Sequence, residues 1–222
     1  MGRYIEHNSI THKYRLTDSG KKAGSLVLDA RLLSVGNGPT ANAAEYVKDL
    51  DIGTHAVMFS TNDDYGLDIS CSFLISGLTN GYSAFYLAQD YKLNSITEEI
   101  RNRLNLEPSP LGALNILSAE EWYMQKGKFN AEKITNNWVR LSQKQQKAGY
   151  KGIYVCGETE VFFDYSKTEE LLMYEGGLGK SLGSSMSAIC IYDNPRFYEN
   201  IFETLTKYHS HIIYKNKAIK TA

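Results

Sequence analysis

The segment Met186-Ser-Ala-Ile-Cys-Ile-Tyr192 is the most apolar stretch of the chain and predicts a buried β-strand. A strand that is apolar throughout, rather than at alternate positions, is expected where helices cover both faces of a parallel sheet. Other short apolar segments share this character. They are His55–Phe59, Ser83–Leu87, Ala113–Leu117, Lys151–Cys156 and, as a candidate last strand, His211–Tyr214.

Between these strands the apolar residues recur at helical spacing. Leu67, Cys71 and Leu74 mark a helix capped by Asp63 or Asp64, and Asn80-Gly81 predicts the turn that ends it. Strand and helix alternate at least five times, which indicates an α/β fold with a mostly parallel central sheet flanked by helices. The remaining predicted helices are 95–104, 131–148, 167–175 and 195–208, whereas 118–130 is predicted as a loop.

The length of 222 residues suits one domain with a short N-terminal appendage. We assign residues 1–50 to the appendage, in which 41–50 has a helical pattern, and residues 51–222 to the α/β domain. Residues 14–22 resemble the end of a winged-helix DNA-binding module, where a strand meets a last helix. The thirteen residues before them are too few for the other helices of that fold, and the alternative is a short helix capped by Thr17 or Asp18.

The composition excludes several classes of protein. A net charge of -1 argues against direct DNA binding, which normally needs a basic excess. No stretch reaches the about 18 apolar residues of a membrane span, and the first residues lack the apolar core of a signal peptide, so we expect a cytoplasmic protein. The three cysteines Cys71, Cys156 and Cys190 form no CxxC pair and are predicted to be buried free thiols.

The segment Gly176-Gly-Leu-Gly-Lys-Ser181 resembles a phosphate-binding loop but fails its spacing. The pattern GxxxxGK[ST] requires a glycine at position 174, which is Tyr174, and a preceding strand, whereas residues 169–175 have a helical pattern. The segment is therefore predicted to be a flexible loop after a helix. No HExxH, GxSxG or other ligand spacing is found either, so we expect no catalytic residue, metal or cofactor.

Polar and aromatic residues follow several predicted strands, where α/β proteins usually bind ligands. Glu158 and Glu160 are two apart after the fourth strand and would point the same way in an extended chain. Two solvated loop acids are the alternative interpretation of this pair, and core packing or a dimer surface is the alternative for the aromatic residues. The predicted pocket comprises Ser60, Gln89, Asp90, Trp122, Tyr123, Glu158, Glu160, Tyr192 and Arg196.

The order of these segments resembles the MEDS family, the methanogen/methylotroph sensory domain of dichloromethane-responsive regulators and related archaeal sensor proteins. The resemblance spans about residues 50–214. It is carried by 53–59, 73–78 with Asn80-Gly81, Trp122-Tyr123 with 127–129, 149–153 with Gly157-Glu158, Tyr174-Glu175, and 190–193. One departure is Tyr82, because the family usually has Glu after the glycine at that place.

The resemblance implies a RecA-like or KaiC-like three-layer core without a working phosphate-binding loop. It also implies a sensory role in signal transduction or transcription regulation, directed at a small organic compound such as a hydrocarbon derivative. The family's polar positions match His55, Glu158, Glu175 and Asp193, which join the candidate ligand-binding residues. Output would then pass through a partner regulator, a kinase or a homodimer.

Three hypotheses follow. The first is a non-catalytic small-ligand sensor, which is not an enzyme. The second is a degenerate RecA-like nucleotide-binding protein or ATPase, which retained ATP binding would favour. The third is an oligomeric interaction subunit that uses its tyrosine-rich surface, with 16 Tyr against 8 Phe, as an interface.

Overall fold

The computed structural model describes residues 5–8, 13–16, 41–60, 63–104, 113–181, 183, 185–192, 198–215 and 217–221. The strands in this part of the chain are β1 Ile5–Asn8, β2 Lys13–Leu16, β3 Ala41–Asn42, β4 His55–Phe59, β5 Ser83–Ala88, β6 Leu114–Ser118, β7 Ile153–Glu158, β8 Met186–Tyr192, β9 His211–Tyr214 and β10 Lys217–Lys220. The α-helices are α1 Ala43–Tyr46, α2 Asp63–Thr79, α3 Leu93–Leu104, α4 Ala119–Tyr123, α5 Ala131–Lys147, α6 Glu160–Asp164, α7 Thr168–Ser181 and α8 Tyr198–Tyr208. Two short 3-10 helices span Val47–Asp49 and Asp90–Lys92.

The main sheet has eight strands in the order β3-β10-β9-β4-β8-β7-β5-β6. Strands β4 to β9 are mutually parallel, and β10 and β3 add an antiparallel edge. The predicted mostly parallel α/β architecture is therefore confirmed. All residues of β4, β5, β7, β8 and β9 are buried, which explains their continuous apolar sequences.

Two hydrophobic clusters lie on opposite faces of this sheet. One cluster joins Val57 and Phe59 of β4 to helices α4, α5, α6, α7 and α8. The other joins Ala56 and Met58 to α1, α2 and α3. Successive strand residues point to opposite faces, so the same strands supply both clusters and the layers are helix, sheet and helix.

Residues 41–50 pack on this α/β unit. The buried side chains of Ala43, Val47 and Leu50 belong to the cluster formed with α2, and β3 pairs with β10. These residues of the predicted appendage thus contact the α/β domain. Of these elements only the helical pattern over 41–50 was anticipated, because β3 has two residues and β10 is a four-residue strand that is buried only at Ala218 and Ile219.

Strands β1 and β2 form a two-stranded antiparallel sheet in which Ile5 pairs with Leu16. The strand of the predicted winged-helix remnant corresponds to β2, and its helix lies outside the described residues. The first residues of the predicted helix 195–208 also lie outside them. The described part of the last long helix begins at Tyr198.

Two predicted loops are helical. Residues 119–123 form α4, because Ser118 caps the helix and its side chain accepts a hydrogen bond from the Glu121 N–H at 2.9 Å. The glycine-rich segment 176–181 continues α7 instead of forming a flexible loop. A Cβ added at Gly176 would lie 3.0–3.3 Å from ring atoms of Tyr208, so glycine there lets α7 approach α8 closely. Packing, not phosphate binding, accounts for this glycine.

We expect alanine at two adjacent glycines of α7 to change the free energy of unfolding in opposite directions. Gly177→Ala meets no atom within 4 Å and should stabilise the protein by about 0.5–1 kcal/mol through helix propensity. Gly176→Ala should instead destabilise it by about 1 kcal/mol, because the new methyl group presses on Tyr208. Urea unfolding of both variants measures the difference, and equal stabilisation by the two would contradict the close packing of α7 on α8.

Candidate functional site

A cavity of about 300 Å³ lies at the carboxyl ends of the parallel strands, on the face covered by α2 and α3. Strands β5, β7 and β8, the residue after β4, the helices α2 and α3 and the second 3-10 helix each contribute to its wall. Ligands of open α/β sheets bind at this end of the strands. The lining residues are Ser60, Gly66, Leu67, Tyr86, Tyr91, Lys92, Ser95, Ile96, Glu99, Glu158 and Ile191.

Glu158 is the buried acid at the base of this cavity and is 3% exposed. It is the last residue of β7. The Tyr86 hydroxyl donates a hydrogen bond to its Oε1 at 2.9 Å, and the Gln89 N–H donates to its Oε2 at 2.9 Å. Lys92 Nζ lies 3.9 Å from the same Oε2. The carboxylate is therefore held in one orientation by two neighbouring elements, and Lys92 offsets its charge.

The cavity combines apolar walls with a few convergent polar groups. Leu67, Ile96 and Ile191 supply hydrocarbon surface, whereas Glu158 and Lys92 bring opposite charges to the same end. At the neighbouring 3-10 helix, the exposed Tyr91 hydroxyl donates to Glu160 at 3.0 Å. Such a mixture suits a small molecule that buries an apolar part and hydrogen bonds through a polar part.

A second group of polar side chains is buried on the opposite face of the sheet. His55 Nε2 lies 3.1 Å from Glu175 Oε2, and the Tyr192 hydroxyl donates to Glu175 Oε1 at 2.8 Å. Cys190 Sγ lies 3.4 Å from His55 Nε2, and His209 Nε2 lies 3.6 Å from Glu175 Oε2. We call His55, Glu175, Cys190 and His209 the histidine–carboxylate cluster.

The protonation of this cluster follows from its burial and its charges. Burial alone raises the pKa of the Glu175 carboxyl, but the neighbouring His209 and His55 more than reverse this and leave the pKa below its ordinary value. Burial, followed by the Glu175 carboxylate, raises the pKa of the Cys190 thiol. Burial, together with His55, lowers the pKa of His209. The cluster thus combines an ionised carboxylate, a neutral His209 and a protonated thiol.

A comparison with protein families places this geometry in a known class. The family model described as "MEDS: MEthanogen/methylotroph, DcmR Sensory domain" matches residues 54–210, which is well over half of the chain. The chain belongs to the MEDS family. The span of the MEDS match runs from the residue before β4 to the residue before β9, so both the cavity and the histidine–carboxylate cluster lie within it. No curated protein matches the chain.

The sheet of this MEDS domain separates the candidate ligand-binding residues into two groups. Ser60 and Glu158 line the cavity, and Glu160 bonds to Tyr91 beside it. Tyr192 of the predicted pocket lies on the other face, together with His55 and Glu175 from the family resemblance. The structure thus divides these candidates between two places. Glu158 ends a buried strand and is not the solvated acid of the alternative interpretation.

The remaining candidates lie elsewhere in the domain. Trp122 packs on Trp138 with ring centroids 4.3 Å apart, and Tyr123 packs on Phe162 at 5.0 Å. The Asp90 carboxylate accepts a hydrogen bond from the Ser118 hydroxyl. The core-packing alternative therefore describes Trp122 and Tyr123, and Asp193 and Arg196 lie outside the described residues.

Sequence reasoning missed several residues that the fold brings to these two places. Tyr86 and Lys92 line the cavity, and Cys190 and His209 belong to the histidine–carboxylate cluster. Tyr86 lies inside an apolar strand, where a phenol ring is indistinguishable from core until its partner is known. The only usable signal was the position of Lys92 shortly after a strand.

No helix in the described ranges is long and apolar enough to cross a bilayer.

We expect Glu158→Ala to lower the free energy of unfolding by about 2–4 kcal/mol. The substitution removes the acceptor of the Tyr86 hydroxyl and of the Gln89 N–H, both in a buried setting. Glu160→Ala is the matched control, since its partner Tyr91 is 70% exposed, and should change stability by less than about 0.5 kcal/mol. Equal effects of the two variants in chemical denaturation would contradict the structural role of Glu158.

Proposed function

We propose that this MEDS domain is a non-catalytic sensor that binds a small organic compound in the cavity between α2 and α3. The observation that carries the proposal is the convergence of Glu158, Tyr86 and Lys92 in a cavity that also presents the apolar side chains of Leu67, Ile96 and Ile191. A sensory role also agrees with the family to which the chain belongs.

The size and charge of the cavity restrict the class of ligand that it can bind. Its volume of about 300 Å³ is at the small end of ligand pockets, which typically measure about 300–1,000 Å³. Two acids, Glu158 and Glu99, line it with one base, Lys92. We infer a small molecule that offers a hydrocarbon part and a hydrogen-bond donor, and this balance of charge disfavours a phosphate group.

The absence of catalysis is part of the proposal. Tyr86 and Gln89 each donate a hydrogen bond to one oxygen of Glu158 and fix its orientation, and we assign this carboxylate to recognition of the ligand. The histidine–carboxylate cluster is fully buried and offers no approach for a substrate of ordinary size.

A RecA-like core without a phosphate-binding loop is the structural origin that we propose for this domain. The parallel sheet with helices on both faces supports it, as does the place of the glycine-rich segment inside α7. Passage of the signal to a partner regulator, a kinase or a second copy of the chain stays a prediction. So does a cytoplasmic location.

We expect small organic probes, but not ATP, to raise the melting temperature of the purified protein. The panel consists of short methylated amines, thiols and halogenated or oxygenated hydrocarbons. A ligand at a hundredfold excess over its Kd stabilises the folded state by about 2.7 kcal/mol, which for this chain length is a shift of several degrees.

A bulky residue at the cavity wall locates the binding. Ser95→Trp places an indole where Ser95 lines the cavity and should abolish the shift. Glu98→Trp is the matched control, because Glu98 is exposed on the same helix and does not line the cavity, and it should keep the shift. A shift with ATP alone would support the nucleotide-binding alternative and refute the proposal. If neither ATP nor any organic probe raises the melting temperature, the result would contradict the sensor proposal and favour the interaction-subunit hypothesis.

A further inference from the structure

The histidine–carboxylate cluster brings four metal-binding atom types to one point inside the protein. His55 Nε2, Glu175 Oε2, Cys190 Sγ and His209 Nε2 all lie within 4.8 Å of one another, and all four residues are buried. They come from four places: the start of β4, the middle of α7, β8 and the residue after α8. Their separation in sequence explains why no ligand motif is visible.

Four of the six distances between these atoms are close to those of a tetrahedral metal site. Metal–ligand bonds of about 2.0–2.3 Å at tetrahedral angles place the ligand atoms about 3.3–3.6 Å apart. Oε2 of Glu175 is 3.1 Å from His55 Nε2, 3.5 Å from Cys190 Sγ and 3.6 Å from His209 Nε2. Cys190 Sγ is 3.4 Å from His55 Nε2.

Each histidine contributes Nε2 to the cluster and has a backbone carbonyl oxygen beside its Nδ1. Nδ1 of His209 lies 2.7 Å from the Leu205 carbonyl oxygen, and Nδ1 of His55 lies 3.3 Å from that of Tyr208. A carbonyl oxygen only accepts, so each pair requires a hydrogen on Nδ1, and in the neutral imidazole the lone pair is then on Nε2. Metal-ligating histidines are oriented by such a bond from their second nitrogen.

The carboxylate is oriented in the same manner. Oε1 of Glu175 accepts the Tyr192 hydroxyl at 2.8 Å, so Oε2 alone points to the cluster centre. Glycine at 179 makes room for this arrangement, since a Cβ there would lie 3.3 Å from His55 Nδ1. Three of the four side chains therefore have a partner that fixes their direction.

The Nε2 atom of His209 lacks a hydrogen-bond partner within the described part of the chain. His209 is 2% exposed, and its Nε2 is buried with no hydrogen-bond partner among the described residues. Burying an unsatisfied polar atom costs free energy, and such atoms are uncommon in folded proteins. A cation at the cluster centre would supply the partner that this nitrogen lacks.

We propose that His55, Glu175, Cys190 and His209 form a closed, buried binding site for a divalent transition metal of the zinc class. Sulfur and imidazole ligands favour zinc over magnesium or calcium. The Cys190 thiol would lose its proton to solvent on binding the metal. The resulting thiolate and the Glu175 carboxylate carry two negative charges, which balance the two positive charges of the ion. Because all four positions come from the protein, the metal is structural and joins β4, β8, α7 and the end of α8.

Cobalt(II) substitution tests this site on the full-length, untagged protein. Titration with Co²⁺ should give one equivalent of bound metal, with visible d–d bands of tetrahedral cobalt and a near-ultraviolet thiolate-to-cobalt charge-transfer band. Addition of Zn²⁺ should displace the cobalt and raise the melting temperature by several degrees relative to protein in EDTA.

Matched cysteine variants locate the metal. Cys190→Ser should lose the charge-transfer band, whereas Cys71→Ser should keep it, because Cys71 lies in α2 on the other face of the sheet. His209→Ala, checked for folding by circular dichroism, should lower Co²⁺ affinity at least tenfold. No cobalt bound by folded wild-type protein, or spectra unchanged in Cys190→Ser, would overturn the proposal. If Cys190→Ser fails to fold, the wild-type protein decides the question. Equal melting temperatures of the wild type in EDTA and in Zn²⁺ would overturn the proposal.

Discussion

The burial of both faces of the parallel sheet is the constraint on which the rest of this structure depends. Helices cover the central strands on each side, so their side chains lie in an apolar medium whichever way they point. A charged group in such strands is tolerated only where other groups hydrogen bond to it. The places at which this chain carries buried charge are therefore few, and each is surrounded by partners that the fold must supply.

Two buried glutamates on opposite faces of the sheet each accept a hydrogen bond from a tyrosine hydroxyl. Glu158 accepts the hydroxyl of Tyr86 at 2.9 Å, and Glu175 accepts that of Tyr192 at 2.8 Å. Each tyrosine belongs to a strand, fills core volume with its ring and ends in a donor. This use gives a physical reason for part of the high tyrosine content, which the sequence suggested only as a sign of a pocket or an interface. One carboxylate lines a cavity, and the other lies within a buried cluster.

Local sequence was ambiguous where two physical effects compete. The run of glycines at 176–179 has the composition of a loop, but these residues continue α7 because Gly176 admits the Tyr208 ring of a neighbouring helix. Residues 119–123 lack a long apolar period, and the cap at Ser118 makes them helical. Both segments required knowledge of a neighbour or of a single hydrogen bond, which a periodic pattern does not contain.

The sequence by itself determined the α/β class, the six parallel strands to within about two residues and the membership of a sensory family, because apolar runs and helical periods are local properties. It also named His55, Glu158 and Glu175 as functional candidates. Only the tertiary structure decided that Glu158 and Glu175 lie on opposite faces of the sheet, since Glu158 ends β7 whereas Glu175 belongs to α7, and the face that a helix covers depends on the chain topology. It alone placed Cys190 and His209 beside His55, because contacts between residues more than a hundred positions apart arise from strand order and helix packing.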